Sequence, residues 1–254
     1  MLMNKPIATI KAFAVELVVA IIMSGCAATI HKSERLKEIS IIVNYPVVIV
    51  NDGVHDGINF FNRKDTVWIF YCNNNVLYRL SGATDLETDK KILGTETWFI
   101  YVKKATHGFL FNSITDTSKG LRLPIDSFLN KRAYANANFD VPADSLYGKV
   151  ENGNDTIVEK YFARTVHNGN YPDSLYYYFT NTFENVDYSF SRRLDSAKNM
   201  KLYKVRVLYN EGFSSSYKIM LPKREFLFEM REEAIANSKQ IINFFEMVKN
   251  QINE

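Results

Sequence analysis

The sequence has few cysteines, little net charge and only short apolar runs, and each shortage narrows the class of protein. Two cysteines occur in 254 residues, so a disulfide framework does not hold the chain together. The formal net charge is +3, far from the strongly basic surface of a nucleic-acid-binding domain. Beyond the amino terminus, no stretch approaches the roughly 20 apolar residues of a membrane-spanning helix. We therefore expect a globular body without a nucleic-acid partner.

The signatures of several enzyme classes are also missing. The chain has no G-x-S-x-G elbow, no H-E-x-x-H motif, no Walker A loop and no G-x-G-x-x-G turn. These motifs supply nucleophiles, zinc ligands or phosphate-binding backbone groups. Their absence favours a non-catalytic protein, and we assign no catalytic, metal or cofactor-binding residues from the sequence.

The amino terminus has the clearest pattern in the chain. Lys5 and Lys11 precede an apolar run from Ala12 to Met23, which Glu16 interrupts once. Small residues and a cysteine follow. A basic start, a short apolar core and a small-residue cleavage site are the layout of a secretory signal. An uncleaved anchor helix and a buried core helix are the alternatives.

The segment Met23-Ser24-Gly25-Cys26 resembles the lipobox of bacterial lipoproteins, which usually has Leu where this chain has Met23. The resemblance implies a diacylglycerol on the Cys26 sulfur, cleavage before Cys26 and acylation of the new amino terminus. The thiolate is the reactive form of a cysteine, and two or more acyl chains anchor a protein stably. The resemblance thus implies a lipid-anchored protein of the cell envelope. In the lipoproteins that this segment resembles, an Asp after the cysteine often signals retention at the inner membrane, so with Ala27 in that place the resemblance implies the outer membrane.

These patterns divide the chain into three segments. We predict a lipoprotein signal peptide over residues 1–25, a polar tether over 26–38 and a single α+β domain over 39–254. The hydrophobic content of 46% is enough for that domain to bury a core of its own.

The aromatic content predicts strands in this domain. The chain has 18 Phe and 15 Tyr, which favour half-buried pleated surfaces. We predict an α+β fold, in which an antiparallel, aromatic-rich sheet of short strands carries one short middle helix after Pro124. Two W-x-x-Y segments, starting at Trp68 and Trp98, indicate either a repeated hairpin or a coincidence. Pro46 indicates that residues 39–50 form a strand pair or a bent edge strand.

The carboxyl terminus has a helical pattern. Apolar residues between Leu227 and Ile252 recur at three- and four-residue steps, which predicts a long amphipathic helix of about seven turns. Before it, Met200–Tyr209 and Ser216–Leu221 are predicted to form a last hairpin.

Histidines and the second cysteine are the remaining candidates for chemistry. Residues 52–56 form a D-x-x-H-D pattern with possible zinc ligands, but its Asn-Asp-Gly start already indicates a hairpin turn. His107 and His167 lie beside glycines in predicted turns. Cys72 lies in a strand-like apolar run without a nearby Lys, Arg or His to lower its pKa, which favours a small buried side chain over a reactive thiol.

The densest aromatic cluster lies between Tyr171 and Phe190. A glycan could stack on such rings. In an extended strand, however, Tyr176 and Tyr178 face one way and their neighbours face the other, so one set belongs to the core. The basic segment 187–204 could contact anionic headgroups, and its composition favours a solvated loop and strand edge.

Together these features predict a non-catalytic binding or interaction lipoprotein. Its expected partners are the membrane, through the lipid on Cys26, and an unknown envelope protein or glycan. An envelope hydrolase with a His-centred site and a structural subunit of an envelope assembly are the alternatives.

Overall fold

Strands dominate the chain. A computed structural model describes residues 36–50, 58–80, 96–137, 139, 145–151, 155–163, 172–215 and 218–252. The first strands are β1 (Lys37–Val50), β2 (Ile58–Cys72), β3 (Asn75–Leu80), β4 (Thr97–Val102), β5 (His107–Phe111) and β6 (Leu121–Pro124). The later strands are β7 (Ser145–Glu151), β8 (Thr156–Ala163), β9 (Ser174–Thr180), β10 (Lys201–Tyr209), β11 (Gly212–Ser214), β12 (Ile219–Leu221) and β13 (Arg224–Glu233). The helices of the described residues are α1 (Ile125–Arg132), α2 (Arg192–Lys198) and α3 (Ser238–Ile252).

Eleven of the strands form one antiparallel sheet, in the order β6-β5-β4-β3-β2-β1-β13-β10-β9-β8-β7. Strands β1 to β6 form one meander, and β7 to β10 with β13 form a second. The two meanders meet where β1 pairs with β13, with Ile41 opposite Met230. The predicted antiparallel, aromatic-rich sheet is confirmed.

Strand β1 is one continuous strand inside the sheet, so the prediction of a strand pair or an edge strand is wrong. It pairs with β2 along its whole length, but with β13 only as far as Asn44. Proline has no N–H to donate to a ladder, which normally confines it to a sheet edge. Pro46 lies just beyond the last residue of β1 that pairs with β13. At that point β1 has a hydrogen-bonded neighbour on one side only, so the missing N–H of Pro46 breaks no pair with β13.

One face of the sheet carries the first core. Ile39 and Ile41 of β1 lie in it together with Tyr177 and Phe179 of β9. The core is closed by α1, by residues 133–137 and 139, and by residues 183–194. Two buried tyrosine hydroxyls fasten these covering segments: Tyr177 donates to the Phe139 carbonyl at 2.7 Å, and Tyr188 donates to the Ala133 carbonyl at 2.8 Å.

The opposite face carries a second core over β2 to β5. Helix α3 packs there through Ile241, Phe244, Phe245 and Val248. Cys72 is buried in the same core, which confirms its prediction as a small buried side chain.

The two W-x-x-Y segments lie in neighbouring hairpins of the first meander. Trp68 and Trp98 are both opposite Arg79 of the intervening strand β3. The Arg79 guanidinium carbon lies 4.4 Å from the Trp68 ring centroid and 5.8 Å from that of Trp98. An arginine between two indole rings is a favourable cation–π arrangement.

The predicted seven-turn helix over Leu227–Ile252 is wrong in its first half. Arg224–Glu233 is strand β13, and α3 has 15 residues, about four turns. Because β13 hydrogen-bonds to both β1 and β10, pairing with two strands outweighs a local spacing that also suits a helix. The second half of the prediction is confirmed, since Ile241 and Phe245 are buried. None of the helices in the described part of the chain is long and apolar enough to cross a membrane.

Two other local predictions also need correction. Strand β10 does not pair with β12, the described end of the predicted return strand, but lies between β9 and β13, whereas β11 and β12 form a separate ribbon. The basic segment predicted as a loop and strand edge contains α2. Its Ser191 side chain accepts a hydrogen bond from the Leu194 N–H, which caps the helix. The middle helix is confirmed as α1, directly after Pro124.

Burial of tyrosines in the first core predicts an alkaline transition. Desolvation raises the pKa of Tyr101 to about 12, and it raises the pKa values of Tyr78 and Tyr188 well above 10.0. Because the folded state favours the neutral phenols, their stabilisation is fully present below pH 10 and is lost as the pH rises further. We expect these rings to ionise only as the chain unfolds, with phenolate absorbance rising together with loss of the far-ultraviolet dichroism. Complete ionisation near pH 10 in a folded chain would contradict this assignment.

Candidate functional site

Half of the second sheet face is not covered by any of the described helices. Helices α1 and α2 contribute Leu129 and Leu194 to the first core, and α3 packs over β2 to β5. The uncovered half lies over β8, β9, β10 and β13, and we call it the open face. Tyr176 and Tyr178 lie on it half-buried, while Tyr177 and Phe179 are fully buried on the other side. The predicted alternation in this aromatic segment is therefore confirmed.

One line of opposed residues crosses the open face and continues beyond it. Strands in a sheet lie about 4.8 Å apart, so a line across six strands spans about 24 Å. We call this line the cross-strand row. From β8 to β2 its members are Lys160, Tyr176, Arg206, Leu227, Asn44 and Lys64.

Cations lie over the aromatic rings of the open face. The Lys160 ammonium is 4.6 Å from the Tyr176 ring centroid, and the Arg206 guanidinium carbon is 5.6 Å from the same point. On the adjacent row, the Lys204 ammonium lies 5.5 Å from the Tyr178 centroid. Each contact is worth about 0.5–1 kcal/mol at an exposed position. The rings therefore position cations and offer less of their faces to a stacking sugar.

The charges in the middle of the open face are paired. Arg206 donates two hydrogen bonds to Glu225, at 2.7 and 3.2 Å, and these raise the pKa of Arg206. Lys204 lies 3.1 Å from Glu229. Burial alone would raise the pKa of Glu229, but hydrogen bonds from Arg231 and Lys204 outweigh burial and hold it below its usual value.

The two lysines at the ends of the cross-strand row, unlike the charges in its middle, are not paired with carboxylates. Among the described residues, neither Lys64 nor Lys160 has a carboxylate within ion-pair distance. Uncompensated positive charge is thus placed about five strand spacings apart, at both ends of the row.

The Lys64 end of the row opens into a cleft of about 640 Å³. The cleft forms where β1 and β2 continue past the end of the pairing with β13 at Asn44. Its described lining includes Lys64 and Lys223, together with Arg224 and with Arg63, which is paired with Asp65 at 3.1 Å. The carboxylate in the lining, that of Glu225, is bound by Arg206. Burial lowers the pKa of Arg224 from its very high ordinary value.

The candidate residues from the sequence lie elsewhere. His107 begins β5, with its Nδ1 3.0 Å from the Thr106 hydroxyl oxygen. Strands β2 and β5 are three positions apart, about 14 Å, so Cys72 and His107 are not within hydrogen-bonding reach of each other. Neither residue lines the cleft.

The other candidates lie outside the described residues. They are Cys26, the D-x-x-H-D pattern of residues 52–56, and His167. The predicted hydrolase site therefore stays a prediction. Within the described ranges, no group of three or more His, Cys, Asp and Glu side chains could hold a metal ion.

Sequence reasoning did not identify the cross-strand row. Single polar residues such as Asn44 and Lys64 look like ordinary solvent-facing positions in a strand. Only the register between strands that are distant in the chain places them in line with Arg206 and Lys160. The sequence matches no known protein family, and no curated protein is similar to it.

Proposed function

We propose that this chain is a non-catalytic, lipid-anchored binding protein of the cell envelope, and that its open face binds an acidic glycan. The anchor is Cys26, and Ala27 favours the outer membrane. One observation supports the glycan-binding role above all: the cross-strand row has uncompensated lysines at both ends and leads into a cleft with basic walls. Such a surface attracts a ligand with negative charge spread along its length.

The composition of the open face favours a glycan over a protein partner. The centre of a stable protein interface is apolar and depleted of charge. Here Arg206, Lys204 and their carboxylate partners occupy the middle of the face, with Leu227 beside them. A hydrated acidic polymer can bind such a surface without desolvating those ion pairs, and it can reach both terminal lysines at once.

The proposal predicts that Lys64→Gln with Lys160→Gln weakens binding of an acidic polysaccharide about tenfold. Two exposed charge contacts of about 0.5–1 kcal/mol each amount to roughly one power of ten in the dissociation constant. The variant breaks no ion pair among the described residues, but it removes the contacts of the Lys160 ammonium with the rings of Tyr176 and Phe162, so the free energy of unfolding should fall by about 1–2 kcal/mol at most. The measurement is titration of the full chain in detergent with polygalacturonate, repeated with neutral dextran and at raised salt.

The matched control is Lys119→Gln with Lys131→Gln, which removes the same charge from exposed positions before β6 and in α1. We expect this control to bind polygalacturonate as the wild type does. An equal loss in the control would show attraction by net charge alone and contradict the proposed site. Absence of binding to the wild-type chain would contradict it directly.

A further inference from the structure

The cross-strand row offers cations to a ligand only at its two ends. Lys160 of β8 begins the row and Lys64 of β2 ends it. The four positions between these lysines are those of Tyr176, Arg206, Leu227 and Asn44. Arg206 alone among the four is charged, and Glu225 binds it through two hydrogen bonds. An acidic ligand therefore gains its charge contacts at the ends of the row and not in the middle.

The two ends of the row differ in strength. At one end, Lys64 and the exposed Lys223 both line the cleft. At the other end, Lys160 lies over the rings of Phe162 and Tyr176, with its ammonium 4.2 and 4.6 Å from their centroids. An acidic ligand thus gains most in the cleft, and Lys160 adds one further contact about 24 Å away, across five strand spacings.

The length of the row limits the length of the ligand that can reach both ends. One sugar unit lengthens an extended glycan by about one strand spacing, 4.8 Å, so a row across six strands matches about six units. Gly148 of β7, opposite Lys160, has no side chain, and the row ends there. A chain of about three units in the cleft spans only half of the row and does not contact Lys160.

The twist of a β-sheet adds a second requirement, flexibility of the ligand. Adjacent strands are rotated by about 20–25° relative to each other, which turns the row by roughly 100° over its five spacings. A rigid ligand that lies flat at Lys64 leaves the surface before it reaches Lys160. A chain with rotatable linkages follows the turn, and its second charge contact then forms within one molecule.

We propose that the cross-strand row selects acidic glycans by length, and that a chain of about six units is the shortest that contacts both ends. The chain lies across the strands, with one part in the cleft at Lys64 and another at Lys160. This inference rests on the proposed function, because it specifies the size of the ligand that the same surface binds.

The test is calorimetric titration of the full chain in detergent with a trimer and an octamer of galacturonate. Lys160→Gln should weaken binding of the octamer about twofold to fivefold, the effect of losing one exposed charge contact. It should leave binding of the trimer unchanged, which also shows that the cleft is still folded. Lys160→Arg keeps the charge and should restore octamer binding, whereas Lys64→Gln should weaken binding of both oligomers.

The control for net charge is Lys119→Gln, which changes an exposed residue outside the row and should leave the ratio of the two affinities unchanged. Two results would overturn length selection and leave the acidic-glycan function in place. One is equal affinity of the wild-type chain for trimer and octamer, and the other is an equal effect of Lys160→Gln on both. If the trimer binds too weakly to titrate, the difference in octamer binding between Lys160→Gln and Lys160→Arg decides. If the wild-type chain binds no galacturonate chain of any length, the proposed function itself fails, and length selection fails with it.

Discussion

Phe244→Ala should lower the free energy of unfolding by about 3–5 kcal/mol, the range for deleting a phenylalanine side chain from a packed core. Phe244 is 1% exposed, and its ring lies edge-on to Phe111 at 5.3 Å and tilted against Trp98 at 6.3 Å. With 15 residues, α3 is at the length at which an isolated helix is only marginally stable in water, so it depends on this packing. Denaturant unfolding followed by circular dichroism and tryptophan fluorescence measures the change.

Asn243→Ala is the control for this substitution. The side chain of Asn243 is exposed next to Phe244 on the same helix, so its truncation should change the free energy of unfolding by no more than about 0.5 kcal/mol. If Phe244→Ala cost less than about 1 kcal/mol, the docking of α3 over β4 and β5 would be wrong.

Cys26→Ser should abolish labelling by a fatty-acid analogue and leave the precursor uncut. The proposed lipid attachment requires the Cys26 sulfur as a nucleophile, and cleavage follows that attachment in the lipoproteins whose lipobox this segment resembles. Metabolic labelling with the analogue and electrophoretic mobility of the chain measure the two effects. The expected change is complete loss, because Cys72, the only other cysteine, lies within the second core.

Cys72→Ala is the matched variant for the anchor experiment, and it should keep both labelling and cleavage. The opposite result, maturation of the Cys26→Ser chain with retention in the membrane fraction, would exclude the lipoprotein assignment. An ordinary signal peptide or an uncleaved helix would then replace it.

Patterns among neighbouring residues predicted correctly those elements whose structure does not depend on distant parts of the chain. The alternation around Tyr177 was predictable because successive side chains of an extended strand point to opposite faces, although the sequence did not show which of the two sets is buried. Residues 238–252 were identified as helical because one stripe alone meets the second core. Strand β13 was misjudged because its environment is set by β1 and β10, which lie far away in the chain.

The sequence predicted which kinds of residue occur in the candidate site, but not how they are arranged. The sequence shows that Tyr176 and Tyr178 share a side, but it does not show that Lys160 and Arg206 flank Tyr176. The cleft depends on the point at which β13 stops pairing with β1, and no local signal marks that point.

The seam between β1 and β13 also sets an order of folding. Each meander is built from neighbouring strands, so its contacts are short-range and form early. The seam instead joins positions 193 residues apart, such as Ser40 and Glu233, and closing such a loop costs about 4–5 kcal/mol in chain entropy. Until β13 arrives, β1 is an unpaired sheet edge that can recruit other chains. A chain that emerges amino terminus first therefore keeps this edge exposed, and remains prone to aggregation, until β13 has emerged as well.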